Sequence, residues 1–321
     1  MRITSRYRTA VLATAVGAGL LLSGCSKDDT DSVTPAAGDG EYTIGFVNGN
    51  NTEFHTCLQG AIEAKAKELG VELYTANSTQ DPGKELSNIE DMISRGVDAV
   101  IVQTVNVDAL EADIAKAKAA NVPIFLTSVL LEDMKDVLGA SVVPLAEVGK
   151  MDAELVTEDA AGKSVQVGVI AGAPGAASDV LVGGFTDNLP ATAKVVANQP
   201  GMFSPAKAQE VAENMIQSHP DLDYVFVANE EMAFGALNAF KAAKSDVKIV
   251  TNNGTERGVE AVKAGTFLGT VSNPAQLTGA NALDSTVKLL DKAKGAEKIT
   301  RTPLTLVTKE NADQAPAYCH E

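Results

Sequence analysis

Short apolar runs rich in Val and Ile recur at residues 43–47, 71–74, 99–102, 124–126, 165–170, 194–197, 224–228 and 247–251. Each is apolar on both faces, which suits strands covered by helices on either side. The stretches between them carry a helical period. Leu86, Ile89 and Ile93 share one face, as do Ala208, Val211, Ala212 and Met215. Asp81-Pro82 and Ser204-Pro205 predict helix starts, and Gly70 and Gly96 predict helix ends. Strand and helix alternating in this way predict an α/β fold of parallel sheets with right-handed crossovers. The two halves show no close sequence repeat.

The first residues change the picture of where the chain resides. Arg2, Arg6 and Arg8 form a basic start, an apolar run follows from Ala10 to Leu22, and Leu22-Ser23-Gly24-Cys25 closes it. A basic flank, a short apolar core and small residues before the end predict a secretory leader over 1–25, not a membrane-spanning helix. Its ending resembles the bacterial lipobox, which implies an acylated Cys25 and an extracytoplasmic chain anchored to the cell membrane. Residues 26–40 hold Asp, Ser, Thr, Pro, Ala and Gly and predict a flexible tether. About 280 residues remain from position 41 onward, enough for two domains. Without the three arginines of the leader, 23 basic residues face 42 acidic ones, a net charge of −19. That excludes a nucleic-acid partner.

In open parallel sheets, ligands sit beyond the carboxyl ends of the strands. Residues 48–54, 103–106, 127–128, 171–179, 228–231, 252–255 and 272–273 occupy those ends and are dominated by Asn, Gln, Ser and Thr. These groups donate and accept hydrogen bonds without charge and suit a neutral, polyhydroxylated solute. Turn formation explains Asn252-Asn253-Gly254 well. It explains Gln103 and Asn229, which follow apolar strands directly, less well.

The stretch Asn229-Glu230-Glu231-Met232-Ala233-Phe234-Gly235-Ala236, with Lys84-Glu85-Leu86-Ser87-Asn88 and Asn253-Gly254-Thr255, resembles the ribose/galactose type of periplasmic sugar-binding protein. The resemblance runs from about Tyr42 to Lys309. It implies two Rossmann-like lobes with parallel sheets joined by a three-crossover hinge, the type I periplasmic binding protein fold, closing on a sugar. Lobe 1 is then 41–141 with 274–302, and lobe 2 is 142–273 with 303–321. Carried over by position, it implies ligand contacts from Asn51, Phe54, Gln103, Phe203, Asn229, Asn253 and Asn273. The chain also departs from that pattern. Ser128-Val129 stands where the family usually carries Asp-Arg, and Ala177-Ser178-Asp179-Val180-Leu181 lacks an expected arginine. Glu53 replaces a stacking aromatic. Without arginine the site has lost a planar bidentate donor, which disfavours carboxylate and phosphate ligands. Glu53 and Asp179 favour an amine or amino sugar if they face inward. The first turn of a helix explains Glu230 and Glu231.

No enzymatic motif survives inspection. Gly162-Lys163-Ser164 lacks the first glycine of a phosphate loop, and neither G-x-S-x-G nor H-E-x-x-H occurs. Removal of Cys25 leaves Cys57 and Cys319, an even pair in an oxidising compartment. A Cys57–Cys319 disulfide, two free thiols, and a zinc site with His55 and His320 are the alternatives; the disulfide is the favoured one. The expectation is therefore a monomeric substrate-binding lipoprotein of an ABC importer, with no cofactor and no metal. Its partners are a sugar-like solute and a permease with its ATPase. A receptor that presents its ligand to a membrane sensor would share the same pocket.

Overall fold

The computed structural model describes residues 42–319. The leader, Cys25, the tether and His320 lie outside the described residues. The chain runs β1 (Thr43–Asn48), α1 (Glu53–Leu69), β2 (Glu72–Asn77), α2 (Pro82–Ser94), β3 (Ala99–Val102), α3 (Leu110–Ala119), β4 (Ile124–Ser128) and β5 (Gly139–Val142). It continues through α4 (Leu145–Ala160), β6 (Val165–Ala171), α5 (Ala176–Thr186), β7 (Ala193–Pro200), α6 (Pro205–Ser218), β8 (Tyr224–Val227), α7 (Glu230–Ala243), β9 (Lys248–Asn253), α8 (Glu256–Lys263) and β10 (Gly269–Ser272). It ends with α9 (Ala275–Leu290), β11 (Ile299–Arg301) and β12 (Thr305–Val307).

Two six-stranded sheets form, ordered β11-β5-β4-β3-β1-β2 and β12-β10-β9-β8-β6-β7. The first is parallel throughout. In the second only β12 runs antiparallel, against β10. The chain passes between the sheets after β5, after β10 and between β11 and β12, which gives the expected three crossovers. Ile44, Phe46, Leu58, Ile62 and Phe125 fill one side of the first sheet. Phe185 stacks on Phe226 in the second lobe, with ring centroids 4.5 Å apart. Each such side chain contributes roughly 1.5–3 kcal/mol by leaving water.

The expected helix starts hold. Asp81 accepts hydrogen bonds from the Gly83 and Lys84 backbone N–H groups, and Ser204 from that of Lys207. Three expectations need correction. Runs 71–74 and 194–197 are not buried on both faces: β2 and β7 are the outer strands of their sheets and stay partly exposed. β5 and β10, read Gly-Ala-Ser-Val and Gly-Thr-Val-Ser, are buried strands that hydrophobic patterning missed. The buried face of α2 is wider than expected: Glu85 and Met92 are buried with Ile89, while Ile93 packs against the same core and Leu86 is half-buried. Glu85 is accommodated there because its carboxylate accepts hydrogen bonds from the Thr104 hydroxyl and the Val105 N–H, at 2.7 and 2.6 Å.

Cys57 and Cys319 are bonded, with Cα atoms 5.8 Å apart. Cys57 lies in α1 of the first lobe. The tail that carries Cys319 leaves the second lobe after β12, where Lys263 of α8 pairs with Asp313. Tyr318 is buried in a cluster with Cys57 and Ala275, against Phe54. The Asn253 amide donates to the Tyr318 hydroxyl at 2.7 Å. The tail therefore touches both lobes. Among the described residues, no helix is long and apolar enough to cross a membrane, and no His, Cys, Asp and Glu cluster could hold a metal.

Candidate functional site

A cavity of about 300 Å³ lies at the carboxyl ends of both sheets. Phe54, Gln103 and Ser128 line it from the first lobe, and Phe203, Asn229 and Asn253 from the second; Asn273 lies beside the second crossover. No Asp, Glu, Lys or Arg lines it.

Each polar group is held by the local fold. Gln103 directly follows β3, and its Oε1 accepts hydrogen bonds from the hydroxyls of Thr127 and Ser128. Its Nε2 donors are left with no partner among the described residues. Asn229 caps α7, accepting the Met232 N–H at 2.9 Å. The Asn253 amide is shared between the Tyr318 hydroxyl and the Glu230 N–H. Asn273 donates to Asn252 Oδ1 at 3.2 Å, while its own Oδ1 is buried without a partner. A buried carbonyl oxygen of this kind is a ready acceptor for a solute hydroxyl.

Backbone strain gathers at the same place. Four of the ten non-glycine residues with positive φ (Asn121, Ala161, Lys244 and Lys292) sit at helix C-termini. Gln80, Ser128, Met202, Phe203 and Asn253 all line the cavity, and Thr79 adjoins Gln80. Strain held by its surroundings clusters at binding sites. Gly172 has no Cβ, and this leaves room for the Phe203 ring against its backbone.

Electrostatics keep the lining neutral. Burial pushes His55 down to about 4, so its ring is uncharged at neutral pH. It pairs through Nδ1 with the Thr52 hydroxyl at 2.7 Å. The buried Glu230 does not line the cavity. It accepts hydrogen bonds from the Gly254 and Thr255 N–H groups and from the Thr255 and Thr270 hydroxyls. This is a firmer role than the helix-end one expected for it.

Three expected contacts fall outside the cavity. Asn51 is exposed, and its Oδ1 accepts from Asn77 at 2.8 Å; Asn50 lines the cavity instead. Glu53 is exposed in the first turn of α1, and burial raises it somewhat while Arg257 opposes the shift. Asp179 is exposed in the first turn of α5, where an acid suits the helix end, and Ala177 and Ser178 face the cavity. Gln80, His55, Val143, Leu145, Leu181 and Met202 line the cavity without having been expected. Reading the end of β2 as the other strand ends were read finds Gln80. The apolar four carry no sequence signal that separates them from core.

Residues 44–294 match the periplasmic binding protein domain family. The chain belongs to this family. It is 30% identical over 295 residues to the ribose import binding protein of Bacillus subtilis, covering 90% of this chain and 95% of that one. It is 28% identical to the xylitol-binding protein of Mycolicibacterium smegmatis, across 98% of this chain and 89% of that one. Among solved structures, an ABC transporter solute-binding protein from Bacillus halodurans with bound myo-inositol superposes with a TM-score of 0.81 at 23% identity, covering 87% and 98% of the two chains. That likeness bears on the fold alone. The relatives are extracytoplasmic binding proteins, and the reading of this family member as a non-enzymatic binding protein holds.

Proposed function

We propose that this chain is the substrate-binding lipoprotein of an ABC importer and binds a small neutral sugar or polyol between its lobes. The observation that carries the reading is the cavity lining: carboxamides, hydroxyls and two phenyl rings among aliphatic side chains, with no Asp, Glu, Lys or Arg among the described residues. Relatives named for ribose and xylitol support the solute class. Phe54 and Phe203 supply apolar faces for the solute ring, while Gln103, Ser128, Asn229, Asn253 and Asn273 meet its hydroxyls. Cys25 carries the lipid that holds the monomer at the membrane, beside its permease. The amine alternative loses its footing because Glu53 and Asp179 lie outside the cavity.

Thermal-shift screening of the purified chain tests the reading. Pentoses, hexoses and polyols are expected to raise the melting temperature, and amines and acids to leave it unchanged. A clear shift with an amine and none with any sugar or polyol overturns it. Gln103→Ala is the diagnostic variant, because its side chain bonds only to Thr127 and Ser128. It is expected to weaken the responding solute at least tenfold, the effect of about 1.4 kcal/mol.

A further inference from the structure

A second cavity of about 380 Å³ lies beside the first. Val107, Ser128, Val143, Leu145 and Ala177 line both, so the two adjoin along a shared wall. The small side chains of Ser128 and Ala177 stand at the junction. Beyond it the lining turns apolar, through Val129, Leu130, Pro144 and Val180. Arg301 stands at the edge without an ion-pair partner among the described residues, and Glu147 pairs with Lys150 at 3.2 Å. Large exposed hydrophobics are few: Leu69, Leu130, Val180, Met202 and Leu277. Three of these five line the two cavities. Exposed apolar side chains gathered in a concave surface mark a binding site.

The distribution of polarity is directional. Hydrogen-bonding groups crowd one end, at Gln103, Asn229, Asn252, Asn253 and Asn273, whereas at the other the polar side chains are Ser128, Arg301 and Glu147, the last already paired with Lys150. A free monosaccharide is hydroxylated around its whole rim. Pressed toward the apolar end, it would leave hydroxyls unpaired, at about 1–3 kcal/mol each. A sugar that carries an apolar substituent matches both ends.

We infer that the solute is a neutral glycoside, its sugar ring held at the carboxamide end and an apolar, preferably aryl, aglycone lying in the second cavity. This rests on the sugar reading above. An aryl ring suits the second cavity because the Arg301 guanidinium can stack on it from the edge. Burying about 100 Å² of aglycone contributes roughly 2.5 kcal/mol, a gain of about 60-fold in affinity by the tenfold-per-1.4 kcal/mol conversion.

Calorimetric titration of the full mature chain tests this. The probes are D-ribose and D-galactose against methyl and phenyl β-D-ribofuranoside and methyl and phenyl β-D-galactopyranoside. For at least one sugar, the phenyl glycoside is expected to bind at least tenfold tighter than the parent, with the methyl glycoside between them. Val180→Asp, an exposed position on α5, should remove that advantage and leave the parent's affinity within twofold. A parent that binds as well as its glycosides overturns the inference and leaves the sugar reading intact. An advantage that survives Val180→Asp overturns the placement of the aglycone. Binding by neither parent nor glycoside of either sugar overturns this inference, and the thermal-shift screen above decides the sugar reading separately.

Discussion

The two lobes share one strand order, and each buries a glutamate that clamps a loop of the cavity wall, yet the two clamps differ in kind. In the second lobe Glu230 receives four hydrogen bonds from Gly254, Thr255 and Thr270. In the first lobe Glu85 receives two, from Thr104 and Val105. Burial raises both carboxyls; it takes Glu85 to about 7, with Asp113 beside it, while four donors oppose the rise at Glu230. Asp152, fully buried near Glu230 with both oxygens unpartnered, is pushed well up by burial and by the Glu230 charge. The lesson is that donor count decides which buried acid is a fixed anchor and which is titratable. By that measure the second-lobe wall is the more firmly held of the two, and the first-lobe wall answers to pH.

The strongest way to break the comparison is Glu230→Ala. It strands four donors and is expected to destabilise the chain by on the order of 4 kcal/mol in urea unfolding. A loss under about 1 kcal/mol would mean that the loop does not depend on its clamp. The first-lobe clamp is tested by pH. Folded Glu85 keeps its proton to about 7, whereas an unfolded glutamate loses it near 4.5. The folded state therefore binds more protons across that window, and its contribution is fully present below about 4.5 and falls as pH rises to 7, by up to about 3 kcal/mol. His55 acts oppositely, since its folded value is about 4 against 6.5: its contribution is present above 6.5 and lost as pH falls toward 4. The difference between wild type and Glu85→Gln cancels His55. That difference should vary with pH between 4.5 and 7; a flat one refutes a titratable first-lobe wall. The smallest effect belongs to Tyr318→Phe, which removes the partner of the Asn253 amide. About 1 kcal/mol of stability should be lost, with solute affinity reduced severalfold. Unchanged affinity would make Tyr318 a packing residue only.

Much of this was legible in the residues, for physical reasons that also mark where reading stops. Val- and Ile-rich runs announced β1, β3, β6, β8 and β9, because strands covered on both faces must be apolar. β5 and β10 escaped because Gly, Ser and Thr fill tight space there without a hydrophobic signature. The buried face of α2 was read too narrowly because a buried carboxylate has no apolar signature, and its donors, Thr104 and Val105, follow only after β3. Strand-end logic picked out Gln103, Ser128, Asn229, Asn253 and Asn273, which the fold gathers around one cavity. Phe54 and Phe203 came through resemblance. Asn51, Glu53 and Asp179 failed because the phase of a side chain in the first turn after a strand is set by tertiary contacts. The second cavity was invisible in the sequence, since Val107, Leu130, Pro144, Val180 and Arg301 meet only through the crossovers.

The bond between Cys57 and Cys319 has a consequence for survival outside the cell. It joins positions 262 residues apart and makes nearly the whole folded chain a covalent ring. A protease that cuts one exposed loop within that ring releases no fragment. The two pieces stay linked, and the lobes stay paired. Shedding a piece takes a second cut or a reductant.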